Sequence, residues 1–151
     1  MSYTFQEEKF APFFADGQSL FPLHHTELAL NQDKIKMDLD SERYQRLEDA
    51  GMLFVLTVRC EGKLVGYLVA FPMTHMHYKS AGMMALTDMY FILPEHRKGI
   101  GAKLFTEFER RMKERGAVQI MTGCKRHQDH TRLLEALGWT NSDLTFLKVL
   151  I

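Results

Sequence analysis

The sequence predicts a mixed α/β fold, α+β in the order of its elements, and three observations carry that reading. Two β-rich apolar runs, MLFVLTVRC and KLVGYLVAF, face each other across Glu61-Gly62 as an antiparallel hairpin. Downstream, a strand–helix–strand unit begins near Ala85 and requires a parallel pair joined by a right-handed crossover. A last apolar run, LTFLKVL, closes the order as a further strand. The 151 residues suit a single domain over 1–151, large enough to bury a core.

Residues 1–30 hold an aromatic cluster (Phe10, Phe13, Phe14) and two prolines, Pro12 and Pro22, and read as one or two short helices interrupted around Gly17. Ser41 can cap a helix running to about Ala50, with Tyr44 and Leu47 on its inner face and Gly51 ending it. Both hairpin strands are apolar on both faces, so the sheet needs cover on both sides. After the polar loop THMHYKSAG, a third strand is expected from about Ala85 to Leu93. A helix follows from Gly101 to Arg115. Leu104, Phe105, Phe108 and Met112 recur at helical spacing, and Glu107–Arg111, Glu109–Lys113 and Arg110–Glu114 form exposed i,i+4 pairs. Gly116 ends that helix, AVQIMTGC is the next strand, and a short helix from about Asp129 to Leu137 stops at Gly138.

Nineteen basic residues balance nineteen acidic ones, so the chain lacks the broad positive field of a nonspecific nucleic-acid binder. No apolar run approaches the roughly 18 residues that span a bilayer. Cys60 and Cys124 fit neither a disulfide framework nor a zinc knuckle and are expected to be reduced, buried thiols. The start, MSYTFQEEKF, lacks the basic and apolar regions of a signal peptide. A cytoplasmic protein, binding neither nucleic acid nor membrane, is the expectation.

The chemistry concentrates in HRKGIGA, between the third strand and the long helix. A helix start presents unpaired N–H groups and partial positive charge, which attract anions. Gly99 and Gly101 remove side chains that would hold a phosphate away from those amides, and Arg97 and Lys98 add charge. A plain strand-to-helix connection with a solvated basic face is the alternative. A P-loop would need Gly-Lys-Ser/Thr, but Ala102 and Lys103 follow Gly101; a dinucleotide fingerprint would need a third glycine where Leu104 stands.

LPEHRKGIGAKLF resembles the acetyl-CoA signature of the GNAT superfamily of acetyltransferases, Q/R-x-x-G-x-G/A, with His96-Arg97-Lys98-Gly99-Ile100-Gly101 in its places. The hairpin before it, the long helix after it and RLLEALGW match the GNAT order over about residues 50–150. The segments HHTELALNQDKI, YQRLEDAGML, LVGY and HMHY are similar to predicted GNAT proteins of phages and prophages, from about residue 20 onward. The resemblance implies a mixed, mostly antiparallel sheet with a splayed parallel pair and helices on both faces. It also implies acetyl-CoA as co-substrate, no metal, and direct acetyl transfer to a primary amine of a small molecule or peptide. By resemblance, the amides from Arg97 through Lys98, Gly99, Ile100, Gly101 and Ala102 bind the pyrophosphate. The backbone of Phe91, Ile92 and Leu93 holds the pantetheine arm, and an amide there stabilises the oxyanion. GNAT proteins commonly form homodimers.

Two positions depart from the family pattern. His96 replaces the usual Gln or Arg, and Leu134 stands where many members have a tyrosine that protonates the leaving thiolate. A non-catalytic acyl-CoA-binding or protein-interaction module is therefore the alternative function. An attacking amine must be neutral, so a general base is useful. Asp88, in LTDMY on a central strand, is the first candidate, against a purely structural role. His24, His25, His75 and His77, with Glu27, form a second set, and His25, His77 and Glu27 join Asp88 as catalytic candidates. A metal site is disfavoured because the histidines lack a convergent spacing; bordering the acceptor site and lying in surface loops both fit. Lys125, Arg126 and His127 suit either a phosphate contact or an exposed charge cluster. Met83, Met84 and Met89 suit an acceptor pocket or core filling.

Overall fold

A computed structural model describes residues 1–151. In chain order the elements are β1 (Tyr3–Glu7), α1 (Phe10–Gly17), α2 (Phe21–Leu28), α3 (Ser41–Asp49), β2 (Phe54–Cys60) and β3 (Lys63–Thr74). These are followed by β4 (Met83–Ile92), α4 (Ile100–Glu114), β5 (Ala117–Met121) and α5 (Thr131–Ala136). One five-stranded sheet runs β1-β2-β3-β4-β5, antiparallel except for the β4–β5 pair. No helix is long and apolar enough to cross a membrane.

The expected hairpin forms. Glu61 and Gly62 both take positive φ, the geometry whose twist matches a two-residue turn. The double-faced apolarity of β2 and β3 is also accounted for, because a separate core covers each face. On one side Leu104, Phe105, Phe108 and Met112 of α4 pack against Phe54, Leu56, Leu68 and Ala85. On the other, Phe10, Phe13 and Phe21 of α1 and α2 pack against Tyr67, Val69 and Phe91. Phe108 and Met112 are wholly buried, and each such side chain contributes about 1.5–3 kcal/mol relative to exposure. Of the expected α4 pairs, Glu107–Arg111 and Arg110–Glu114 form, with Arg110 also reaching Glu107.

Three expectations are corrected. Residues 3–7 form an edge strand against β2, Tyr3 opposite Cys60, where only helices were expected. Its sequence, YTFQE, gives little apolar signal, and pairing with a buried neighbour decides its state. LTFLKVL forms no strand: residues 139–151 have no regular secondary structure, and most of their side chains are exposed. The apolar pattern is present there, but the segment makes no backbone hydrogen bonds to a neighbouring strand. Cys60 is buried as expected, whereas Cys124 is exposed, because β5 ends at Met121 and leaves it in the following loop.

Two irregularities of β4 position the site. Between β3 and β4, Val69 pairs with Met89 and Ala70 with Thr87, so Asp88 is the extra residue of a β-bulge. Between β4 and β5 the parallel pairing covers only Met83–Leu86 against Ala117–Met121. Beyond Leu86 the two strands separate. Side chains span the gap: the Thr87 and Thr122 hydroxyls lie 2.7 Å apart, and Tyr90 donates its O–H to the Gly123 carbonyl at 2.6 Å.

Candidate active site

The separation of β4 from β5 opens a cleft of about 240 Å³. Tyr90, Phe91 and Ile92 of β4, Gly101, Leu104 and Phe105 of α4, and Leu133 before the end of α5 line it. Glu27, Arg97 and His130 form its polar side. Strand alternation determines which backbone groups face it. Leu93 donates its N–H to Val65 on β3, so Ile92 and Tyr90 turn theirs away from β3, toward the opening. Gly66 allows this close pairing: a Cβ there would sit 2.8 Å from the Phe91 carbonyl oxygen.

At the cleft's end the chain turns into α4. Gly99 is the residue before the helix, with φ +75, a left-handed conformation that favours glycine. No side chain caps the helix, so its first N–H groups are left for an anion. Gly101 faces Leu133 across the cleft; a Cβ there would come within 3.7 Å of Leu133 Cδ2, an ordinary contact. Lys98 is exposed beside the turn. The Arg97 side chain lies differently from what a phosphate ligand requires. Its guanidinium pairs with Glu27 at 2.7 Å, donates from Nε to the Ile92 carbonyl at 2.8 Å, and lies over the Phe91 ring. Glu27 also accepts from Gln128 at 2.8 Å, so both of its oxygens are engaged. His127 is hydrogen-bonded to the Glu27 carbonyl oxygen, while Lys125 and Arg126 are exposed. These contacts fasten α2 and the loop before α5 over the cleft.

His96 points away from the cleft, its Nδ1 2.9 Å from the Tyr3 hydroxyl on β1. Leu134 packs on the α4 core with Leu137 and Trp139. Met84 is buried, Met89 packs on the α1–α2 core, and Met83 begins β4 half-buried.

Asp88 lies on the face covered by α3 and accepts a hydrogen bond from Tyr44, whose ring stacks on Phe10 and Phe71. Surrounding protein raises the Asp88 carboxyl above its ordinary value, and the Tyr44 bond opposes that rise. Burial, then the bond to Asp88, raises the Tyr44 phenol. The histidines do not converge. His24 and His25 are on α2, whereas His75 and His77 cluster with Tyr78 in the β3–β4 loop, where β4 begins. The glycine turn lies where β4 ends, about 30 Å away along ten strand residues. No three His, Cys, Asp or Glu side chains come together as metal ligands.

His24 has a distinct position. Its ring stacks on Phe91 at 4.9 Å, and its Nδ1 is hydrogen-bonded to the buried Tyr67 hydroxyl at 2.8 Å. Burial lowers its pKa from 6.5 to about 4, with smaller contributions from His25 and Arg97 opposed by Glu27. The folded chain therefore keeps His24 neutral at pH values where the unfolded chain protonates it. That stability is complete above about 6.5 and is lost as the pH falls toward about 4, amounting to at most about 3 kcal/mol. Urea midpoints should fall less between pH 7 and pH 4.5 for His24→Gln, which keeps a hydrogen-bond partner for Tyr67, than for the unaltered chain. Parallel pH curves would contradict this.

Sequence reasoning missed Tyr90, His130, Tyr44 and Gln128. His130 immediately precedes α5 and lies near Tyr90, ring centroids 5.9 Å apart; burial and then Arg97 lower its pKa. Its place just before TRLLEALGW was a usable signal. Tyr44 and Gln128 meet their partners only through the tertiary fold.

The comparisons with known proteins bear on this cleft. The sequence model of the acetyltransferase (GNAT) family matches residues 17–139, most of the chain. The chain belongs to the GNAT family. Among solved structures, the fold is similar to an aminoglycoside acetyltransferase from an uncultured soil metagenomic sample, with TM-score 0.72, 18% identity, and 99% of this chain and 95% of that one covered. A ribosomal-protein-alanine N-acetyltransferase from Brucella melitensis biovar Abortus 2308 covers 100% of both chains at TM-score 0.74 and 15% identity. A predicted acetyltransferase from Clostridium acetobutylicum, solved with acetyl-CoA, gives TM-score 0.72 at 10% identity over 98% of this chain and 96% of its own. No curated protein sequence matches the chain. This GNAT member is an N-acetyltransferase by family, and acetyl-CoA is the family's donor.

Proposed function

We propose that this GNAT chain binds acetyl-CoA between β4 and β5 and transfers the acetyl group directly to a primary amine of a small molecule or peptide. The carrying observation is the continuity of three features: the uncapped α4 start at Gly99–Ala102, the open β4 edge at Tyr90 and Ile92, and Asp88 at the bulge. In this reading the amides from Arg97 to Ala102 hold the pyrophosphate, with Lys98 as the free cation. The pantetheine runs back along Phe91, Ile92 and Leu93, chiefly through the Ile92 N–H. The thioester then lies near Tyr90, whose N–H stabilises the oxyanion. The amine lone pair attacks the thioester carbonyl, and the carbon–sulfur bond breaks as the thiolate leaves. The proton on the new amide nitrogen passes to Asp88.

Glu27, bound on both oxygens, positions Arg97 and takes no proton. His25 and His77 form no side-chain hydrogen bond to Asp88, and neither lines the cleft. The soil enzyme acts on aminoglycosides and the Brucella enzyme on a ribosomal protein alanine, so both amine classes belong in the acceptor search. The segments shared with phage and prophage members support that branch of the family, and the donor supports a cytoplasmic location.

Acetyl-CoA should raise the melting temperature where an equimolar free nucleotide does not, and one member of a panel of aminoglycosides, amines and peptides should release thiol. Stabilisation by the nucleotide alone would overturn the donor assignment. Binding of acetyl-CoA without thiol release across the panel would favour the non-catalytic module that Leu134 raises.

A further inference from the structure

Most polar side chains that line the cleft are already engaged. Glu27 is bound on both oxygens, Arg97 is held by Glu27 and the Ile92 carbonyl, and the Tyr90 hydroxyl donates to the Gly123 carbonyl. His130 is the exception. Its main-chain N–H donates to Cys124 Sγ at 3.4 Å and its carbonyl accepts from Leu134 at 3.0 Å, whereas neither ring nitrogen forms a hydrogen bond. The next N–H, that of Thr131, is tied to Asp129 at 2.9 Å and fixes the same turn. A half-buried imidazole on a pinned backbone thus lines the cleft with its N–H unused.

That position matches a charge the reaction must create. When the carbon–sulfur bond breaks, its electron pair stays on sulfur, and in the donor reading above the sulfur lies beside Tyr90. The His130 and Tyr90 ring centroids are 5.9 Å apart. The α4 and α5 side chains lining the cleft, Leu104, Phe105 and Leu133, offer an anion no hydrogen bond, and Leu134 packs on the α4 core. We propose that the His130 imidazole donates its N–H to the coenzyme A sulfur as the thiolate forms, making it a catalytic residue on the donor side. It keeps its proton throughout: Asp88 takes the proton of the amine, and the thiolate leaves as the anion. Burial and then Arg97 lower the pKa of the ring, with Asp129 and Glu27 opposing them, so the imidazole enters the reaction uncharged. A fixed neutral donor in a sheltered cleft favours the developing anion over the uncharged thioester, which is the condition for accelerating the step. This inference rests on the donor reading of the cleft.

The thiol of coenzyme A bound to the unaltered chain should ionise at a pH about 1 below that of the free coenzyme. The thiolate's ultraviolet absorbance reads this, taken as the difference between the complex and the chain alone so that Cys60 and Cys124 cancel. His130→Leu fills the same space without a donor and should abolish most of the shift, while acetyl-CoA affinity changes by less than about threefold. His130→Gln keeps an N–H and should retain part of the shift. With an accepted amine, the leucine variant should lose about tenfold or more in kcat at a little-changed KM for the donor, and glutamine should recover part of that loss. An unshifted thiol in the unaltered chain would overturn the proposal, as would an equal shift in the leucine variant. Failure of coenzyme A to bind the unaltered chain at all would overturn the donor reading itself, and this inference with it.

Discussion

Gly101→Trp should weaken acetyl-CoA binding by at least about 100-fold, equivalent to roughly 3 kcal/mol, while the chain stays folded. Gly101 lines the cleft opposite Leu133, and its small size leaves the first α4 amides open. An indole there fills the passage between α4 and α5. Gly101→Ala is the discriminating control. Its Cβ would meet Leu133 Cδ2 at 3.7 Å, so alanine should bind the donor nearly as well as glycine. Neither change should harm the helix, because glycine is the poorer helix former by about 1 kcal/mol. Calorimetric titration with acetyl-CoA reads the difference. Equal affinity for tryptophan and glycine would show that the donor does not use this turn.

What could be read in advance and what could not divide along physical lines. The hairpin at Glu61-Gly62, the α4 stripe and the glycine turn are local: spacing, turn residues and an uncapped helix start state them within a few residues. The splay of β4 from β5 carries no composition signature, and it was expected only through likeness to the GNAT family. Long-range pairs were hidden. Tyr44 meets Asp88 across 44 residues and Arg97 meets Glu27 across 70. The second of these changes the reading of the turn, since a cation placed beside the phosphates by sequence is held by a carboxylate from α2. β1 and the run LTFLKVL fail in opposite directions for one reason. Strand state is decided by the pairing a segment makes, which the polar YTFQE finds on β2 and the apolar LTFLKVL does not make.

Asp88→Asn should lower kcat by about 100-fold or more with little change in acetyl-CoA affinity, the signature of a lost general base. Asparagine has nearly the same shape and can still accept from Tyr44, so the bulge and the stacking of Tyr44 on Phe10 should persist. The pH dependence makes the assignment sharper. A base must be ionised, so kcat/KM should rise with pH through a limb set by the Asp88 carboxyl, which partial desolvation by the protein around it raises above its ordinary value. The Tyr44 hydrogen bond favours the charged carboxylate and lowers that pKa. Tyr44→Phe removes it, so the limb should move to higher pH while the activity at its plateau is largely kept. A structural aspartate would behave otherwise: the asparagine variant would lose stability and keep its turnover per folded molecule, and the limb would not respond to Tyr44. Full activity of Asp88→Asn would remove this residue from the chemistry and leave the acceptor's proton to water.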